Sequence, residues 1–364
     1  MGSANPTNVL VTGISGNLGL RLLPQLADYQ IIGVDLNPPP AHPSLRYVRM
    51  DLGREESCRD LLLLLRECRP LAVLHLAFVI DPVRTGVIDL DRMWQINVAG
   101  TARVMEAITE ANRDETIVRK FIFPSSASVY GTDSAAPATE ETPLAAHTLP
   151  YAIHKMECDK VVQQRAPALR GCSVYMPRPH IFTGATMENY IVGAFRGTPN
   201  GRGRRAQKMR DAGKRLPLML PYGKHYLQNR IQFAHVDDVA RLLTHIVCKP
   251  EPEPQRLTVL NVAGRGEPLT FAQCIEVSRA KVFRVPGKWA FRSVLNFLWK
   301  AGISSIPPEA TPYMTGEFIT NTERLQRFMG AQYEEVIRYT IADAFADSFA
   351  AQPQVTSEQT TASA

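Results

Sequence analysis

No two cysteines of the 364-residue sequence form a C-x-x-C pair, and the six that are present (58, 68, 158, 172, 248 and 274) stand singly. That scatter argues against a disulfide framework and offers no zinc-ligand pattern, so no metal is expected. No uninterrupted apolar run approaches the ~20 residues that a bilayer-spanning helix requires, so no integral membrane segment is expected. The opening MGSANPTNVLVTG lacks the basic block and apolar block of a secretion signal, and the expected location is the cytoplasm. No internal repeat is evident. Acidic residues are almost missing from one stretch: 196–215 holds eight Lys/Arg and one Asp, a local charge of +7 in a chain of net charge +6. The remainder is therefore near −1, and no nucleic-acid partner is expected of such a surface.

What is present is an ordinary globular composition, 45% hydrophobic, in a chain long enough for one large domain or two closely joined ones. Apolar strand-like runs fall at 9–12, 31–34, 45–49, 72–76 and 121–124, with helical patterns at 18–27, 57–66 and 90–111 between them. Such alternation predicts crossover units, a parallel sheet and an α/β, doubly wound Rossmann architecture. The runs are apolar throughout, as strands covered on both faces should be. Pro24 falls inside the first helical pattern and should bend it. A sixth strand is expected at 173–176 and a seventh at 259–262. The segments rich in Gly, Pro and Arg or broken by prolines suggest a smaller mixed α/β substrate region resting on the sheet edge. The expected division is 1–178 with 232–264 for the dinucleotide domain and 179–231 with 265–345 for the substrate region. A disordered Ser/Thr/Gln-rich tail would follow over 346–364.

Gly13, Gly16 and Gly19 lie in TGISGNLG, directly after the first strand and before a helix. There the backbone must turn tightly, admit a pyrophosphate and open a helix, and glycine permits each step. The helix N-terminus then offers free N–H groups to phosphate. Asp35 ends the second strand in IIGVDLN, where a carboxylate accepts the adenine ribose hydroxyls and repels a 2′-phosphate, favouring NAD over NADP. Asp51 ends the third strand and could face the adenine amine.

Tyr151 and Lys155 are four residues apart, on one face of a helix. A free tyrosine has a pKa near 10, and a nearby ammonium would stabilise its phenolate. Ser126, in FPSSASVYG, ends the fifth strand at the carboxyl edge of the sheet and could hold the substrate oxygen on which Tyr151 acts. Ser125 and Ser128 stand beside it.

Together these segments resemble the extended short-chain dehydrogenase/reductase family, the NAD-dependent epimerase/dehydratase group. The resemblance rests on TGISGNLG, Asp35, HLA at 75–77, INVAGT at 96–101, SSASVYG, YAIHK, RPHIFTG at 178–184 and HVDDVA at 235–240, and it covers the chain to about 345. It implies an NAD-dependent enzyme with Ser126, Tyr151 and Lys155 as the catalytic triad. Gly13, Gly16, Gly19 and Asp35 would bind the dinucleotide, with Ser15, Asn17, Leu18, Leu52 and Pro179 as further contacts. Leu76 and Ala77 would line the cofactor after the fourth strand, and Asn97 would sit on a supporting helix. Helices at 90–111 and 151–166 would pair in a homodimer.

Three departures bear on the substrate. Dehydratases of the group carry an acidic pair where this chain has Ala127 and Ser128. Members that bind a UDP-sugar have an Asn where Ile181 stands. The arginine usual before the HVDDVA stretch is replaced by Ile231, with Arg230 one residue away and turned elsewhere on a strand. The sugar-nucleotide epimerase reading therefore stands beside a dehydrogenase or reductase of a hydroxysteroid-like or other hydrophobic alcohol or ketone. A non-catalytic NAD-sensing or scaffold protein is a third possibility. Ser126, Ser128, His180 and Ile181 are the expected substrate contacts, although His180 could equally be a packed neutral side chain. The basic stretch at 196–215 could clamp an anionic substrate or form a solvated insertion. The aromatic, lysine-flanked run at 288–300 reads either as a core helix or as an interfacial one.

Overall fold

The computed structural model describes residues 7–80, 89–133, 136–251, 253–254 and 257–350. Its centre is a seven-stranded, wholly parallel sheet. The first half runs β1 (Asn8–Thr12), α1 (Asn17–Gln25), β2 (Gln30–Asp35), β3 (Leu45–Arg49), α2 (Ser57–Cys68) and β4 (Ala72–His75). Then come α3 (90–111), β5 (Lys120–Ile122), α4 (Pro150–Arg165), β6 (Ser173–Pro179) and β7 (Thr258–Val262). The strand order 7-6-5-4-1-2-3 reverses direction between β1 and β4. At such a switch point the crossovers leave on opposite faces, and a crevice opens at the carboxyl ends of the strands.

The strands are apolar because both faces are covered. Leu10, Val73, Phe121 and Val174 point to the face packed by α2, α3 and α4, among Leu61, Val104 and Ile108. Their neighbours Val9, Val11, Leu74 and Ile122 point the other way, onto Leu22 and Leu23 of α1 and Leu242 and Ile246 of the Val236–Cys248 helix. The two-residue pleat thus feeds two cores from one run of residues. The edge strand β3 departs from this: Arg46 and Arg49 are exposed and the rest is half-buried. Pro24 lies one residue from the end of α1, in its last turn. The expected continuous helix at 90–111 is Leu90–Trp94, a π-helical turn Gln95–Ala99, and Gly100–Ala111.

A third apolar cluster builds a cap over the carboxyl edge from elements after β6, including Phe195, Phe233, Phe291, Leu295, Phe318 and Phe345. The expected start of a disordered tail at 346 needs correction. Position 346 falls within the Ile341–Asp347 helix, Phe345 is fully buried, and Phe349 packs on it with ring centroids 4.9 Å apart. Packing the aromatic C-terminal end of that helix into the cap outweighs its polar sequence context. Residues 351–364 of the expected tail lie outside the described residues. Among the described residues, no helix is long and apolar enough to cross a membrane.

One buried ion pair joins the layers. Arg178 of β6 donates from Nε to Asp159 of α4 at 2.7 Å, and both side chains are almost wholly enclosed. Truncating one member of such a pair leaves the other charged group without compensation, at a cost of about 3–5 kcal/mol. Asp159→Ala is accordingly expected to lower the unfolding free energy by about that amount in urea denaturation, whereas truncating the exposed Glu67, paired with Arg46, should leave the urea midpoint almost unchanged.

Candidate active site

The crevice is a cavity of about 410 Å³ that runs from the glycine loop to the cap. Gly13 turns with φ +72°, and a Cβ there would stand 2.5 Å from the Ala77 backbone nitrogen. Ala77 N–H in turn donates to Thr12 Oγ1 at 3.2 Å, so the ends of β1 and β4 are held close. A Cβ on Gly19 would meet the Ile14 and Gly13 carbonyl oxygens at 2.5 and 2.6 Å. Helix α1 begins after Gly16 with no side-chain cap and no acidic residue in its first turn. Its first N–H groups therefore remain available to an anion that approaches a backbone free of side chains.

Asp35 ties the loop to β2, accepting from Ser15 N–H at 3.1 Å and Asn37 N–H at 3.2 Å. Each carboxylate oxygen keeps a lone pair, which is the acceptor that ribose hydroxyls need. The loop, the open helix terminus and this carboxylate are a donor and acceptor set that fits a dinucleotide such as NAD.

The other expected cofactor positions divide. Asn17, Leu18, Leu76 and Pro179 line the cavity with Gly13, Gly16 and Gly19. Ser15, Asp35 and Ala77 stand behind it as loop supports. Asp51 lies elsewhere in its contacts: it holds the Arg92 guanidinium and accepts from Gly53 N–H at 3.0 Å. Leu52 is packed in the core. Asn97, on the π-turn, accepts from Val79 N–H at 2.7 Å and donates to Val79 O at 3.0 Å, fixing the segment that leaves β4. His75 crosslinks the same region through Thr12 (2.7 Å) and Thr101 (3.0 Å).

At the centre, Ser126 caps a short 3₁₀ turn, Ala127–Tyr130, that follows β5. Its Oγ accepts from Ser128 N–H at 3.2 Å and Ser128 Oγ–H at 2.9 Å. With both lone pairs engaged, its own proton is left free beside Tyr151, in the same cavity, where it favours the phenolate. Tyr151 enters near the start of α4, edge-on to Phe78 with centroids 5.8 Å apart. One turn along, Lys155 Nζ donates to Pro124 O at 2.7 Å and sits over the Phe78 and Phe123 rings at 3.7 and 4.6 Å. Burial pushes Tyr151 up to about 12, opposed by the Ser126 bond, and pushes Lys155 down to about 8. The expected lowering of the tyrosine by the lysine does not register: burial raises the phenol, Asp159 adds to the rise, and Ser126 is the group that favours the phenolate.

His180 lines the cavity, stacked on Phe318 at 4.7 Å, with Nε2 against Phe318 O at 3.0 Å. That contact requires the Nε2–H tautomer, which leaves Nδ1 as an acceptor without a hydrogen-bond partner among the described residues. Ile181 also lines the cavity, whereas Ile231 is buried in the cap and Arg230 is exposed and paired with Glu317 at 2.8 Å. Sequence reasoning missed Phe78, Tyr313, Met314 and Phe318, which line the substrate end. No motif marks them: Phe78 follows β4, Tyr313 and Met314 share the short Thr311–Thr315 helix, and Phe318 follows it. None of the eight Lys/Arg of 196–215 lines the cavity; part of that stretch forms an exposed helix, Arg204–Asp211, with only Ala206 buried. Among the described residues no group of three or more His, Cys, Asp or Glu is placed to hold a metal ion.

The sequence profile of the NAD dependent epimerase/dehydratase family matches residues 9–263. The chain belongs to that family. NAD is the family's cofactor, and the glycine loop and Asp35 are the groups that fit it. Curated relatives include a UDP-glucose 4-epimerase of Erwinia amylovora, 31% identical over 44% of this chain and 49% of its own length. Another, from Mycolicibacterium smegmatis, is 34% identical over 40% of this chain and 47% of its own. The chain thus matches about half the length of these relatives. Among solved structures, Bordetella bronchiseptica WbmH in complex with NAD+ superposes with a TM-score of 0.64 at 16% identity, over 94% of this chain and 97% of that one. The UDP-glucuronic acid 4-epimerase of Bacillus cereus gives 0.63 at 17% identity, over 94% and 98%. These likenesses show the fold.

Two buried histidines make the molecule acid-sensitive. Burial pushes His75 down to about 3 and His180 down to about 4, so both stay neutral when folded. The unfolded chain binds their protons near pH 6.5, so this stability is present above that pH and is lost as pH falls toward 4. Two such groups give a loss of roughly 2–3 kcal/mol per pH unit within that window. Urea midpoints measured at pH 7, 6 and 5 are expected to fall accordingly, and His180→Gln should remove about half of the slope.

Proposed function

We propose that the chain catalyses NAD-dependent hydride transfer at a carbinol carbon, with Tyr151 as the acid and base. The observation that carries this reading is the meeting of Tyr151, Ser126 and Lys155 in the same cavity as the glycine loop. NAD, when bound, supplies the two-electron acceptor and donor. Tyr151 takes the proton of the substrate hydroxyl, or returns it to the ketone. Ser126 orients the reacting oxygen with its one free proton, and Ser128 fixes Ser126. Lys155, enclosed by two rings and a carbonyl, places positive charge beside the cavity. Ala127 and Ser128 supply no acid or base for elimination, so dehydration is disfavoured.

Two substrate classes follow from different observations. The relatives named UDP-glucose 4-epimerase favour a sugar nucleotide, whose transient ketone would turn over and be reduced on its other face. The lining favours a hydrophobic alcohol or ketone. The substrate end is built from Phe78, Ile181, Tyr313, Met314 and Phe318, and Lys155 is the only Lys or Arg among the described lining residues. A diphosphate would find no guanidinium there. A homodimer through the outer faces of α3 and α4, joined to each other by the Arg165–Glu106 ion pair, completes the proposal. A cytoplasmic location is supported by six free cysteines.

Tyr151→Phe is expected to lower turnover by a factor of at least about 10² while leaving NAD affinity within about twofold, read by steady-state rates and calorimetry. Loss of NAD binding would count against the assigned role. The same assays, run on UDP-glucose and on a panel of hydroxysteroids, separate the two substrate classes.

A further inference from the structure

The outer side of the cap carries a combination that the proposed chemistry does not use. The Gly287–Lys300 helix buries Phe291 and Leu295 but leaves Trp289 82% exposed and Phe297 61% exposed. One arc of this run thus packs in the core, as the core-helix reading expects. The helix is anchored in the cap core, and its opposite arc presents large aromatics to solvent between Lys288, Arg292 and Lys300, all exposed.

Its neighbours extend the same surface. The strand Val282–Val285, just before the helix, exposes Phe283 at 54% and pairs in parallel with Leu218–Pro221. Tyr222, 64% exposed, follows that second strand and donates its N–H to Val285 O at 2.8 Å. At the other end, Gly201 and Gly203 N–H groups donate to Ile303 O and Gly302 O at 3.0 and 2.8 Å. Those bonds set the start of the basic Arg204–Asp211 helix beside the end of the aromatic one. The two segments 202–224 and 279–300 carry net charges of +7 and +6, with Asp211 their single acidic residue.

We propose that this face docks on the surface of an anionic phospholipid bilayer. Exposed tryptophan and phenylalanine suit the boundary between headgroups and acyl chains, where an amphipathic ring is partly wet and partly apolar. Lysines and arginines around them gain from the negative surface potential, each by an amount comparable to a small apolar contact. A second copy of the chain is a poor occupant, because the face would meet its own positive charge. The docking face also lies one helix away from the catalytic cavity: Phe291 and Leu295 pack with Met314, and Met314 lines the cavity.

The test is flotation of the purified full chain with vesicles of phosphatidylcholine alone and of phosphatidylcholine mixed with phosphatidylserine. Binding to the mixed vesicles, much weaker binding to phosphatidylcholine alone, and release by high salt are expected. Trp289→Ala should reduce partitioning about tenfold, and Lys288→Glu with Arg292→Glu at least as much. Melting temperature and NAD affinity should stay unchanged, since these side chains are exposed and remote from the glycine loop. No flotation with phosphatidylserine vesicles would overturn the proposal, as would flotation that Trp289→Ala and the charge reversals leave unmoved. Conversion of a dimer to a monomer by Trp289→Ala in sedimentation would also overturn it, by assigning the face to a second copy. None of these outcomes depends on the substrate or on the Tyr151 chemistry.

Discussion

Arg178 sits at the carboxyl end of β6 with its guanidinium divided among three parts of the molecule. Nε holds Asp159 of α4, and one terminal nitrogen donates to the Tyr130 hydroxyl at 2.6 Å and to Glu140 O at 3.3 Å. Asp159 also accepts from the Ser125 hydroxyl, and Tyr130 passes its own proton to Asn261 on β7 at 2.7 Å. The network therefore ties α4, the turn after β5, β6 and β7 into one unit. Tyr151 and Lys155 ride on α4, and Ser126 rides on that turn. The spacing between the tyrosine oxygen and the serine oxygen is set by a charge pair that touches neither. Such a pair is an expensive way to gain stability, because both ions are taken out of water. Its value lies in geometry, since a fork of fixed donors leaves few alternative positions for the elements it joins.

Burial around the same unit also decides the electrostatics. The tyrosine is pushed up because a phenolate would lose water, and the lysine is pushed down for the mirrored reason. Both shifts reflect an apolar enclosure built by Phe78 and Phe123. A phenol in such a place depends on the short polar pair beside it, Ser128 bonded to Ser126, for the stabilisation that water supplies elsewhere.

Much of this arrangement was legible in the sequence. All seven strands of the sheet were placed from the sequence, the inner ones as apolar runs because they bury both faces and the edge strand β3 despite its two exposed arginines, and the glycine spacing marked the switch point. The errors lie where tertiary packing overrode local pattern. Position 346 looked like the start of a tail, yet Phe345 and Phe349 close the cap. Asp51 has a partner, Arg92, forty-one residues away, that no local pattern announced. Asp159 gave no signal at all: it is one acid on a helix, and only the fold reveals the arginine facing it. The substrate wall was equally silent, because Tyr313, Met314 and Phe318 reach the cavity from a segment without periodicity or motif.

The same contrast explains why chemistry is easier to read than specificity in this chain. The proposed reacting groups stand after a strand end and on a helix face, positions that the sheet topology fixes for any sequence of this type. Selectivity comes from the cap, whose inner side chains are apolar at the two places where the family resemblance leads one to expect polar groups, Ile181 and Ile231. Ile181 reaches the cavity and Ile231 does not, so the first substitution changes what a ligand meets, and the second changes only how the cap packs. Arg230, displaced by one residue onto the exposed side of its short strand, is held by Glu317 and has its charge spent outside. A one-residue shift on a strand thus leaves a guanidinium on the outer side of the cap, away from the cavity. The cavity that remains rewards shape and apolar area, and an exposed aromatic face on the far side of the same cap fits a molecule whose ligand is scarce in water.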